Sequence, residues 1–191
     1  TPIPQVGARK ILGFGVSPTS IGISNNFRYK NFNMSVLVEG KYGGQMYSGT
    51  NAMSKYFGSH KATIDADGRE NGFTVSGVDA SGAAFTTTIA PDRIEDYWRR
   101  TYEIAEESVY DADYLRLRQM SIGYTIPRAI LENTFIKNAS ISLIGRNLFF
   151  LSNSVENVDP ESGYNVSNSQ GLEWFGMPIP RTIGMNVNLK F

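Results

Sequence analysis

Between positions 181 and 191 the chain is apolar at every second residue (Ile183, Met185, Val187, Leu189, Phe191) and small or polar at the others (Thr182, Gly184, Asn186, Asn188, Lys190). A period of two puts the two sets on opposite faces of a β-strand. The segment has the length of about 9–11 residues that a tilted strand needs to cross a bilayer, and it closes on an aromatic at the end of its apolar face. Four further segments alternate in the same way. Over 19–30, Ile21, Ile23, Phe27 and Tyr29 oppose Ser20, Gly22, Ser24, Asn26, Arg28 and Lys30, with Asn25 the misfit. Over 32–42, Phe32, Met34, Val36, Val38 and Tyr42 oppose Asn33, Ser35, Glu39 and Lys41, and the short connection at Asn31 predicts a tight hairpin. The segment 114–126 starts with Leu115 and Leu117 on odd positions and ends with Met120, Ile122, Tyr124 and Ile126 on even ones. A strand changes face only through an extra residue, so the pattern predicts a β-bulge near Arg118-Gln119, or else a start that faces a plugged lumen; Pro127 then ends the strand. Over 139–150, Ile141, Leu143 and Phe149 oppose Ser140, Ser142 and Arg146, while Ile144 and Leu148 blur the polar face.

The connections alternate in length. Asn31 and 127–138 are short, whereas 43–111 and 151–177 are long, so the long loops fall on one side. Short turns at one end and long loops at the other are the pattern of outer-membrane barrels. In that frame Tyr29, Phe32, Tyr124 and Phe191 form an inner aromatic girdle, with Tyr42 and Phe149 near the outer one. Within the first long loop, 91–105 reads as a helix: Pro91 stands at its first position, Asp92, Glu95 and Asp96 fill the opening turns, and Ile94, Tyr97, Trp98, Thr101 and Ala105 form a stripe. The stretch 73–89 reads as a small hairpin around Asp79 to Gly82. Five strands cannot close a membrane barrel, and an open edge in lipid strands backbone groups at several kcal/mol each. The strands therefore belong to something larger, or the protein is not a membrane protein. A soluble antiparallel sandwich, carbohydrate-binding or adhesive, explains the alternation of each strand equally well. A surface or matrix structural protein is a third reading.

Composition removes other classes. A formal net charge of zero over 191 residues gives no footprint for nucleic acid or anionic lipid. The absence of cysteine excludes disulfides, thiolate metal sites and cysteine nucleophiles, and His60, the single histidine, leaves little material for zinc or imidazole chemistry. No run of about 18 apolar residues makes a membrane helix. The opening Thr1-Pro2-Ile3-Pro4 carries no initiator methionine and no signal segment, as expected of a mature form or a fragment. Asp65-Ala66-Asp67-Gly68 has acidic spacing like the start of a calcium loop, but Arg69 stands where an oxygen ligand belongs and no glutamate follows at the twelfth place, so it reads as a polar turn. His60 reads as a solvated loop residue. Asn33, Asn138 and Asn165 match glycosylation acceptors by chance. No nucleophile, base and orienter set supports catalysis, and no cofactor is indicated.

Several motifs, taken in order, resemble one family. The run Asp113-Tyr114-Leu115-Arg116-Leu117-Arg118-Gln119-Met120-Ser121-Ile122-Gly123-Tyr124-Thr125-Ile126-Pro127 and the ending from Pro180 to Phe191 are similar to the C-terminal region of SusC/RagA-type TonB-linked outer-membrane transporters. So are Gly145-Arg146-Asn147-Leu148-Phe149 followed by Asp159-Pro160-Glu161, and the earlier Tyr29-Lys30-Asn31-Phe32 and Gly40-Lys41-Tyr42-Gly43-Gly44. The resemblance runs from about Leu12 onward, over the last strands of such a barrel; residues 1–17 are a lead-in and 18–191 the barrel segment. It implies an all-β fold, the C-terminal five antiparallel strands of a barrel of about 22 strands whose lumen holds an amino-terminal plug. It further implies a Bacteroidetes-type outer membrane and a SusD-like lipoprotein partner. TonB would supply the energy through a region that this segment lacks, so complete energised transport is not expected of it alone. Cargo would be a glycan or a peptide. Trp174, Phe175 and Tyr164 in the last loop, and Tyr47, Tyr56, Phe57 and Trp98 in the long loop, offer flat amphipathic faces for such a cargo. Arg116, Arg118, Arg146 and Glu39 are expected to meet the plug across the lumen, and Phe191 to serve as the C-terminal aromatic of barrel assembly.

Overall fold

The computed structural model describes residues 4–64, 68–163, 167 and 169–191. In chain order its elements are β1 (Thr19–Tyr29), β2 (Phe32–Tyr42), β3 (Gln45–Ser48), α1 (Gly49–Tyr56), α2 (Gly68–Asn71), β4 (Phe73–Val78), β5 (Ala84–Ile89), α3 (Ile94–Thr101), β6 (Val109–Asp111), β7 (Tyr114–Thr125), α4 (Arg128–Leu131), β8 (Asn138–Asn153), β9 (Leu172–Glu173) and β10 (Thr182–Lys190). The described residues gather into two compact units. One is drawn from the described residues within 4–15, 45–110 and 163–176, the other from Val16–Gly44, Asp111–Ser162 and Met177–Phe191.

The second unit is one five-stranded sheet, ordered β1-β2-β7-β8-β10, with every neighbouring pair antiparallel. Its register lines up the apolar positions across strands. Phe27 pairs with Met34, Met34 with Ile122, Ile122 with Leu143 and Leu143 with Met185. The next row runs from Tyr29 through Phe32, Tyr124 and Ile141 to Val187. Among the described residues nothing covers this face: Phe27 is 58% exposed, Leu143 57% and Ile183 70%. A sandwich would have buried it under a second sheet. The opposite face carries Arg28, Asn33, Gly123, Ser142 and Asn186 in a matching row.

The bulge lies where the change of parity puts it. Leu37 pairs with Gln119 and Val38 with Leu117, leaving Arg118 as the extra residue. Strand β8 answers with its own irregularity, because Gln119 faces Arg146 while Leu117 faces Phe149. Asn147 adopts φ 51 there, a left-handed conformation that asparagine tolerates. The Leu148 side chain then fills the space where a Cβ on Gly145 would stand, so Leu148 shares the apolar face of Gly145 and does not belong to the polar face. Ile144 does stay on the polar face, opposite Ser121 and Gly184. At one end of the sheet the Lys30-Asn31 turn and the connection after β7 lie side by side, since the Thr125 amide donates to the Asn31 carbonyl at 2.9 Å. The rings of Phe32 and Tyr124 meet there at 4.7 Å, and Phe191 stacks on Phe135 at 5.6 Å.

In the first unit, β4 and β5 form the expected hairpin, from Phe73 opposite Ile89 to Val78 opposite Ala84. Phe73 packs on Tyr97 and Trp98 of α3, with centroids at 5.0 and 5.8 Å. The helix predicted over 91–105 is shorter. A 3-10 turn over Pro91–Arg93 leads into α3, which ends at Thr101, and Ile104 is extended, so Ala105 falls into a separate 3-10 turn. His60 is not solvated: it is 5% exposed, and its Nδ1 accepts the Ala62 amide at 3.1 Å to cap a 3-10 turn. The Asp65–Asp67 turn and Asn165 lie outside the described residues.

Candidate functional site

The polar face of the sheet carries an ionic cluster built by β7 and the segment after β8. Alternation puts Tyr114, Arg116 and Arg118 on this face, and the bulge at Arg118 then shifts the parity, so that Gln119, Ser121 and Gly123 continue the polar face. The Arg116 fork donates to two carboxylates, Nη1 to Glu161 Oε2 and Nη2 to Asp159 Oδ2, each at 2.7 Å. Arg118 donates through Nη2 to Glu161 Oε1 at 2.7 Å, through Nε to Glu39 Oε2 at 2.6 Å and through Nη1 to Asn147 Oδ1 at 2.9 Å. The Tyr114 hydroxyl donates to Glu161 Oε1 at 2.7 Å. Arg116 is 3% exposed and its guanidinium lies 3.9 Å from the Phe150 ring centroid, so the pair with Asp159 sits out of water.

The Asp159-Pro160-Glu161 turn makes this geometry. Asp159 Oδ1 accepts the Glu161 amide at 3.0 Å and its carbonyl accepts the Ser162 amide at 2.9 Å, a local turn of the kind that aspartate favours. Asp159 Oδ2 also accepts the Ile179 amide at 3.2 Å, and Asn147 Nδ2 donates to the Pro180 carbonyl at 3.3 Å. Both ends of the β8–β10 connection are thus tied to the sheet. Burial pushes the Glu161 carboxyl up, but hydrogen bonds from Arg118 and Tyr114 and the charges of Arg118 and Arg116 outweigh it, and the group lies below its ordinary range. Every carboxylate in the cluster is engaged by a donor. The arrangement is a clamp and leaves no group free as a base or nucleophile.

Of the residues expected on this face, Arg116, Arg118 and Glu39 come together, and their partners are carboxylates of their own chain. Arg146 stands apart, exposed, between Gln119 and Thr182. Sequence reasoning missed Asp159 and Glu161 as partners; two carboxylates in one tight turn, against an alternating Arg-x-Arg, were the available signal. A second unforeseen group is Glu173, fully buried, which accepts from Ser48 Oγ at 2.7 Å, Thr50 Oγ1 at 2.5 Å and the Gly176 amide at 3.0 Å. It holds β9 to the start of α1, whose positive end favours a carboxylate.

The aromatic candidates divide. Trp174 and Phe175 are 42% and 61% exposed, and the Trp174 indole occupies the space above Gly49. Tyr47 is half-buried in β3. Tyr56 packs against Phe57 and Tyr102, and Trp98 against Phe73 and Tyr97. Tyr164 lies outside the described residues. Among the described residues no group of three His, Asp or Glu could hold a metal ion.

An antiparallel sheet with one exposed apolar face and one polar, ion-paired face has the make-up of a transmembrane barrel wall. The chain is 30% identical over 189 residues to TonB-dependent receptor P3 of Formosa agariphila, covering 96% of this chain and 17% of that protein. It is 25% identical to TonB-dependent receptor P26 of the same organism, covering 95% of this chain and 18% of the relative. Among solved structures it is similar to the RagAB peptide transporter, with a TM-score of 0.62 at 15% identity, and to the RagAB peptide importer in its closed-closed state, with a TM-score of 0.65 at 16% identity. Each match covers 95% of this chain and 18% of the solved one. No protein-family model matches. Over nearly its whole length the chain corresponds to part of TonB-dependent receptors, and it spans less than a fifth of the length of the relatives it matches.

Proposed function

We propose that the five-stranded sheet is the C-terminal part of the barrel wall of an outer-membrane importer of about 22 strands, working with a SusD-like surface lipoprotein and energised through TonB. Its cargo is an oligosaccharide or a peptide. The exposed apolar face carries this reading: side chains from five strands align in uncovered rows that the hydrocarbon of a bilayer would cover favourably. The polar face then looks into the lumen, with the ionic cluster near the end that bears the long connections. The soluble sandwich has no comparable support, since it requires that face to be covered.

The test compares the two faces of β10 in the full-length protein. Val187→Arg places a charge against lipid and costs about 2–4 kcal/mol near the midplane. Asn186→Arg, one residue away, points into the lumen and is tolerated. Folded barrel is read from heat-modifiable electrophoretic mobility in outer-membrane extracts. Equal behaviour of the two variants, or a detergent-free soluble wild type, refutes the reading.

A further inference from the structure

A groove of about 310 Å³ opens within the loop unit, walled by α1, α2 and α3. That volume lies at the lower end of the range of about 300–1,000 Å³ for small-molecule sites. Tyr56, Phe57 and Trp98 line it, and Phe57 is 72% exposed. Three charged groups also line it: Glu95, Arg99 and Arg69. Glu95 and Arg99 neutralise each other in a pair at 2.5 Å, and the Arg99 guanidinium lies 5.5 Å over the Tyr56 ring. Arg69 differs. Its Nε donates to the Thr63 carbonyl at 3.3 Å, and its Nη2 donates to Thr63 Oγ1 at 3.3 Å and to the Gly58 carbonyl. All three acceptors are neutral, and among the described residues Arg69 has no carboxylate partner. Among the described residues the guanidinium is therefore held in place by neutral acceptors alone, with its Nη1 hydrogens unspent.

We propose that this groove binds an acidic saccharide, with Arg69 taking a ring carboxylate and the faces of Tyr56, Phe57 and Trp98 packing on the sugar. A pre-oriented guanidinium with spare donors matches a carboxylate. Flat amphipathic rings match a sugar that is apolar on one face and hydroxylated at its rim. A peptide that binds by adding a strand fits less well, because this groove is walled by helices and turns that offer no sheet edge. The proposal rests on the importer reading and narrows it, assigning one subsite of its loop unit.

The test uses the full-length transporter purified in detergent. Binding of trigalacturonic acid and of its neutral galactose counterpart is measured by calorimetry. Wild type is expected to bind the acid about 10-fold more tightly, as one charge-assisted contact allows. Arg69→Gln removes that preference and leaves neutral-sugar affinity unchanged. Arg69→Lys restores part of it, and Trp98→Ala weakens both sugars. Equal wild-type affinities, or a preference that survives Arg69→Gln, overturn the proposal. Tighter binding of a short peptide, lost when its C-terminus is amidated, overturns it in favour of peptide cargo. Heat-modifiable mobility of the same samples reports barrel folding separately, so a groove indifferent to acid leaves the importer reading standing.

Discussion

Glu161→Ala tests whether the ionic cluster fixes the β8–β10 connection to the barrel wall. The carboxylate accepts from Tyr114, Arg116 and Arg118, and removing it withdraws one partner from each. Breaking a buried ion pair by deleting one side costs about 3–5 kcal/mol. Here the loss is softened, because Arg116 keeps Asp159 while Arg118 keeps Glu39 and Asn147 and is 20% exposed. The expected loss is about 3 kcal/mol, the lower end of that range. The effect is local: the turn opens and the barrel stays intact. The Ser162 amide, bonded to the Asp159 carbonyl at 2.9 Å, reports the opening directly. Its hydrogen exchange is expected to accelerate about 100-fold, the equivalent of that free energy. Glu132→Ala, at an exposed position after α4, serves as control. A Ser162 rate in Glu161→Ala within about threefold of the control would show that the cluster does not hold the loop.

Further outcomes follow from the same geometry. The Glu161 carboxyl lies below its ordinary value of 4.5, so its contribution is fully present above that value and is lost as pH falls through the lower, folded one. Protease cleavage in 151–162 is expected to stay flat from about pH 7 to about pH 5 and to rise only in stronger acid; a rise already between those limits contradicts the assignment. Glu173→Gln swaps one acceptor for an amide that faces the hydroxyls of Ser48 and Thr50, costing about 1–3 kcal/mol. It should speed exchange at the α1 amides about 10-fold or more while β7 is unaffected. Gly49→Ala puts a methyl group where the Trp174 indole lies and displaces it, read as a shift in the Trp174 emission against a Trp174→Phe reference.

The strands were legible because each faces two unlike environments, and a period of two records that directly in Ile183, Met185, Val187 and their counterparts. The bulge was legible for the same reason: moving the apolar set from Leu117 to Met120 needs one unpaired residue, and Arg118 is that residue. Leu148 was misleading because the irregularity at Asn147 is set by local backbone conformation, which leaves no mark in hydrophobic periodicity. The long loops were harder still. His60 and Glu173 are polar residues buried by partners distant in sequence or held in irregular turns, and composition alone assigns them to solvent. The α3 stripe was extended to Ala105 because spacing continues past the point where Ile104 leaves helical geometry. The cluster was half visible: alternation identified the Arg116 and Glu39 face, but the carboxylates Asp159 and Glu161 that engage the arginines lie more than forty residues downstream.

Strand direction constrains what completes the sheet. With all four pairings antiparallel, β1 and β10, the two edges, run the same way. A second copy of this segment docked edge to edge would therefore pair β10 with β1 in parallel, so copies of the segment cannot by themselves form the all-antiparallel ring typical of outer-membrane barrels. Each open edge needs a strand of opposite direction, and the strands that close the barrel must be odd in number. Added to five, an odd number gives the even total that bacterial single-chain barrels have. Closure therefore has to come from strands other than these. Until it does, the free backbone groups of β1 and β10 are the costliest feature of the sheet in lipid, and pairing them offsets more free energy than any single side-chain contact described above.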